Sequence, residues 1–187
     1  MPEVIYPIER LAEAVCLQTV SLTKALGEGL DQVAAENPDM PGIDDLLATV
    51  DADPAPLFGL SMYVQLRALA NAKFPDDAIA LVQARASDLL EGSLGKPEFH
   101  VELTRWTNAL SVGWDKVIQG DAADGWIQHI VSAFEAHYGE GTDHQGTVWA
   151  RLFYLTLIAD TYRQNATTVA EQLKQSILTE QAVSAGT

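Results

Sequence analysis

A single cysteine, Cys16, leaves this chain of 187 residues unable to close a disulfide within itself. That suits a reducing compartment, so the expected location is cytoplasmic. Cys16 lies in the apolar stretch of Ala12, Val15, Leu17 and Val20, where a thiol reads as a small buried hydrophobe. No histidine or base stands nearby in sequence to stabilise a thiolate.

Positive charge is also scarce. Eleven Lys and Arg stand against 26 Asp and Glu, a net charge of −15. A field of that sign repels phosphate backbones and anionic headgroups, so neither nucleic acid nor a membrane surface is an expected partner. Long apolar runs are missing. The most apolar, Val148 to Ala159, is interrupted by Arg151 and Thr156 and falls short of the roughly 20 residues that span a bilayer. The opening Met1-Pro2-Glu3-Val4-Ile5-Tyr6-Pro7 lacks the basic and apolar regions of a signal peptide. No stretch alternates in the manner of a strand between hairpin turns. No Walker A, Gly-x-Gly-x-x-Gly or Gly-x-Ser-x-Gly sequence occurs, which removes the usual phosphate cradles and hydrolase elbows. The acids after Asp51 do not make a calcium loop, because its sixth and twelfth positions would be Pro56 and Met62 instead of Gly and Glu.

What the chain does have is helical periodicity. Ile8, Leu11, Val15, Leu22, Leu26, Leu30 and Val33 recur near 3.6 residues and predict a helix over about 7–35, with Gly27 and Gly29 able to bend or break it. Prolines and acids make 37–56 the least regular region, with a short helix possible at Asp44–Val50. Leu57–Lys73 is apolar on most sides, the mark of a central helix. Pro75 with Asp76 and Asp77 fits a helix start, where the macrodipole favours negative charge. Ile79, Val82, Ala86 and Leu89 form its stripe, and Gly92 to Pro97 closes it. Phe99, Leu103, Trp106, Leu110, Trp114 and Val117 mark a helix over 98–119, and another follows over 121–138. Thr142 with Gln145 reads as a capping box. Val148–Arg163 and 165–181 follow, with the break between them left open, and Ala182–Thr187 reads as a frayed tail. The expected architecture is an all-α, single-domain bundle of six to eight helices over residues 1–181.

Residues 1–50, 51–100, 101–150 and 151–187 carry net charges of −7, −3, −5 and 0. The N-terminal third is therefore the candidate acidic face, with Glu28, Asp31, Glu36, Asp39, Asp44, Asp45, Asp51 and Asp53 as its members. Its ordinary role is solubility; its functional role is to attract a basic protein. A second candidate is an apolar, Trp- and Tyr-lined pocket anchored by Arg67, Arg151 and Asp160 with Trp106 and Tyr154, since a charge in a central helix is costly unless paired or functional. Pairing inside the chain, such as Asp160 with Arg163, is the plainer account of those charges. His137 and His144, with acids around them, straddle a glycine turn and lack the i, i+3 or i+4 spacing of a helical metal site, so capping and solvation explain them better. His100 and His129 are isolated. The sequence calls for no cofactor.

Three functions compete. The first is a non-enzymatic immunity, inhibitor or adaptor protein that covers a basic surface on another protein. The second is a small-molecule sensor or enzyme. The third is assembly, with 7–35 and 165–181 supplying a homodimer interface.

Overall fold

The 29 residues Ile8–Glu36 form one unbroken helix, α1. Gly27 and Gly29, able to bend or break it, do not interrupt it. A helical glycine costs about 1 kcal/mol against alanine, whereas Leu22, Leu26 and Leu30 are buried around the pair and each contributes about 1.5–3 kcal/mol. The burial term wins.

The computed structural model describes residues 5–39, 43–95, 99, 101, 103–108 and 145–185. Among them every regular element is a helix and none is a strand. After α1 come α2 (Ile43–Ala52), α3 (Ala55–Asn71) and α4 (Asp76–Leu94). A fifth helical stretch lies within 99–108, and α5 (Gln145–Ala185), the sixth described, completes the all-α bundle. Within 37–56 the short helix read at Asp44–Val50 is present, as Ile43–Ala52. The question left open at 163–168 resolves as continuous helix. Thr167 and Thr168 turn their hydroxyls back to the carbonyls of Arg163 and Gln164 and so stay within the helix. α5 extends into the tail as far as Ala185. Expected helices over 109–119 and 121–138, and the cap at Thr142, lie outside the described residues.

The element enclosed most completely is α3. From Ala55 to Leu69 all but Phe58 and Arg67 are buried, as an apolar circumference requires. It packs against α1, α4 and α5. The α1 stripe is buried at Leu11, Ala12, Val15, Thr19, Leu22, Leu26 and Leu30. Thr19 fills the gap that apolar spacing alone left between Val15 and Leu22. Beside it Thr23 donates to the Thr19 carbonyl at 2.8 Å and accepts from the Ser61 hydroxyl at 2.9 Å, so a narrow polar seam fixes α1 against α3.

The 99–108 stretch meets α3 at two points. Phe99 stacks edge-on against Phe58, with ring centroids 5.5 Å apart. Trp106 lies on Gly59, where an added Cβ would stand 2.4 Å from Trp106 Cβ. Gly59 is therefore the position that lets α3 and this stretch touch.

The end of α3 is a Schellman cap. Phe74 N–H donates to the Leu69 carbonyl and Lys73 N–H to the Ala70 carbonyl, at 3.1 and 2.9 Å. Lys73 takes the left-handed conformation, φ 62°, that glycine usually supplies. Lys174 of α5 covers the remaining polarity. Its Nζ donates to the carbonyls of Ala72 and Lys73 at 2.9 and 2.5 Å and stands 5.4 Å from the Phe74 ring centroid. A cation here complements the negative end of α3 and joins two helices. Lys174→Met keeps the apolar stem and removes the charge. It is expected to lower stability by about 1–2 kcal/mol in urea titration; an unchanged midpoint would mean that water replaces the ammonium without cost.

Candidate functional site

One stretch of the sequence concentrates charge of a single sign. From Lys24 to Arg67 there is no Lys, Arg or His, while Glu28, Asp31, Glu36, Asp39, Asp44, Asp45, Asp51 and Asp53 all fall between them. Counting charge in blocks of fifty blurs this run; the interval between successive bases exposes it.

The fold gives these residues different surroundings. Glu28, Asp31 and Glu36 are exposed on the last turns of α1, and Asp39 is exposed just beyond it. Asp44 and Asp51 are exposed on α2, which packs against α1. Five carboxylates thus share the surface of two neighbouring helices, with Asp39 between them. The side chain of Asp45 lies outside the described residues. Asp53 departs from the group: it is half-buried, and its Oδ1 accepts from Ala55 N–H at 3.3 Å, so it helps to start α3.

Local helix physics does not account for the placement. Acids stabilise helix N-termini and weaken C-termini. Glu36 sits in the last turn of α1 and Asp51 in the last turn of α2, and neither turn contains a base. Among the described residues two contacts soften the repulsion on α1. Lys24 Nζ lies 3.6 Å from Glu28 Oε1, and Gln32 Nε2 donates to Glu36 Oε1 at 2.8 Å. The other ion pairs stand elsewhere. Arg10 meets Glu180 at 3.1 Å and Arg85 meets Glu9 at 2.7 Å. The Arg10 guanidinium and the Ser176 hydroxyl hold the Glu180 carboxyl below its usual range. That contribution is present at neutral pH and is lost as pH falls through the lowered value.

Of the five residues of the predicted pocket, the side chains of Arg67 and Trp106 are described. Trp106 is buried in the core against Gly59. Arg67 instead lines a cleft between α3 and α4. Arg151, Tyr154 and Asp160 lie on α5, with side chains outside the described residues. His137 and His144 also lie outside them, and among the described residues no His, Cys, Asp and Glu group could hold a metal ion. No described helix is long and apolar enough to cross a membrane.

Cys16 is half-buried against the core, and burial pushes its thiol above the ordinary value. The thiol form is therefore favoured in the fold, opposite to what a nucleophile needs. For linkage, a raised acid pKa gives stability that is complete below the unfolded value of 9.0 and is lost as pH rises toward the folded one. Stability is thus expected to fall above about pH 9, and Cys16→Ala is expected to flatten that decline in denaturant titrations; equal declines would show that other groups govern it.

No family model matches this chain, and searches of curated proteins and of solved structures also find no match.

Proposed function

We propose that this is a non-enzymatic helical protein that binds a basic protein, in the manner of an immunity protein, inhibitor or adaptor, through the acidic surface of α1 and α2. One observation supports the reading above others: six exposed carboxylates stand on or just beyond two neighbouring helices within a 42-residue interval, 25–66, that lacks any base. Mutual repulsion among them costs stability, and the unfavourable placement of Glu36 and Asp51 at helix C-termini adds to that cost. A partner with Lys and Arg at matching positions relieves both. Such complementarity acts chiefly on encounter rate and selectivity.

Capture of partners from the native cell at low salt tests the reading. Two variants are compared with the parent chain, one carrying Glu28→Gln, Asp31→Asn, Glu36→Gln and Asp44→Asn, the other carrying Glu13→Gln, Asp77→Asn, Asp88→Asn and Glu171→Gln. The expected result is a basic protein retained by the parent and the second variant and lost by the first. Retention by both variants, or loss from both, rejects the α1–α2 surface as the binding face.

A further inference from the structure

We infer that two copies of this chain associate about a two-fold axis, through the face formed by the first half of α1 and the last half of α5. These helices pack against each other and against α3. Between them runs a shallow apolar groove. Ala14 and Gln18 line one side, Ala166 and Val169 line the other, and Ala68 and Leu69 of α3 make its floor. Its volume is near 30 Å³. Sites for small molecules begin at about 300 Å³, so the groove is too small for a free ligand. It has room for the end of one aliphatic side chain.

Apolar side chains stand in the open on both rims. Leu17 is 68% exposed and follows Ala14 by one turn; Val169 is 49% exposed on the facing helix. Tyr162, one turn before Ala166, is exposed as well. An apolar patch of this kind, facing water, marks a contact surface.

Shape and charge both select a second copy as the occupant. The face carries a projecting side chain, Leu17, beside a groove that takes one such side chain. A two-fold axis brings each Leu17 to the groove of the other chain, so a single arrangement satisfies both. The charge is equally particular. Ile8–Lys24 holds two acids and two bases, and so does 161–185. The whole chain carries −15, so an acid-rich face would repel its own copy, whereas this one does not. Arg10 and Glu180 already pair across α1 and α5 at 3.1 Å. A basic protein would find no excess charge here to attract it. The acids of α1 that carry the role proposed above begin at Glu28, beyond this stretch, so the inference stands apart from that role.

Sedimentation equilibrium of the full chain tests this from about 1 to about 200 μM, at about 0.1 and about 0.5 M salt. The expected result is a reversible dimer. Added salt should tighten it or leave it unchanged, because screening weakens the repulsion between two acidic chains. Leu17→Asp and Val169→Asp, both at exposed positions, are expected to weaken the dimer at least about tenfold. Leu81→Asp, at an exposed position on α4, is expected to leave it intact. Far-UV circular dichroism checks that each variant keeps its helices. A chain still monomeric at about 200 μM, assembly beyond the dimer, or a dimer that salt dissociates would each overturn the inference. So would a dimer equally tight in Leu17→Asp and Val169→Asp, or one weakened as much by Leu81→Asp.

Discussion

Replacing Gly59 by alanine is expected to destabilise the protein by about 2 kcal/mol, while the same change at Gly27 is expected to stabilise it by about 0.5–1 kcal/mol. Both glycines lie inside helices, and intrinsic propensity favours alanine at each. They differ in what a Cβ would meet. At Gly27 nothing lies within 4 Å. At Gly59 the new atom would stand 2.4 Å from Trp106 Cβ and 3.7 Å from Trp106 Cα. Those atoms are next to backbone and cannot swing aside, so α3 and the 99–108 stretch must separate. Overpacking of this kind costs about 1–3 kcal/mol or more, which exceeds the propensity gain of about 1 kcal/mol. Thermal unfolding should place Gly59→Ala roughly 4–8 °C below the parent chain and Gly27→Ala slightly above it. Shifts of the same sign in both would contradict the close approach of Trp106.

The second large effect concerns binding. Neutralising Glu28, Asp31, Glu36 and Asp44 together is expected to slow association with the basic partner by about 100-fold, within the range that electrostatic steering commands. Stability should move the other way. Removing like charges from the last turns of α1 takes away repulsion and an unfavourable dipole contact worth about 0.3–1 kcal/mol near Glu36. Stopped-flow association and urea titration on the same variant check both signs. Slower binding with lower stability would mean that these acids hold the fold together and that the binding loss is indirect.

The helices could be read from spacing because burial follows it. Ile8 through Val33, and Ile79 through Leu89, recur on one side of a helix and meet the core there. The enclosed α3 was legible for the same reason. What spacing could not supply were contacts between distant segments. Thr19 occupies a core position with its hydroxyl unpartnered among the described residues, beside the contact of Thr23 with Ser61. Gly59 looks like a weak helical residue until Trp106 is placed on it. Lys174 looks like a solvated charge until α5 brings it to the end of α3. The acidic surface was visible as composition, but its form depends on α2 packing beside α1 and on Asp53 turning inward to the start of α3. Arg67 does line a cleft, yet its opposite charge there is Asp76, which helix-start chemistry alone had seemed to explain.

The most direct test of the central claim is the association rate of the captured partner, measured from about 20 mM to about 500 mM salt. Surface charges are screened beyond about 10 Å at 0.1 M ionic strength. The account predicts a fall of more than about tenfold across that range, following the loss of steering. A rate that stays constant would show that the carboxylates of α1 and α2 do not draw the partner in.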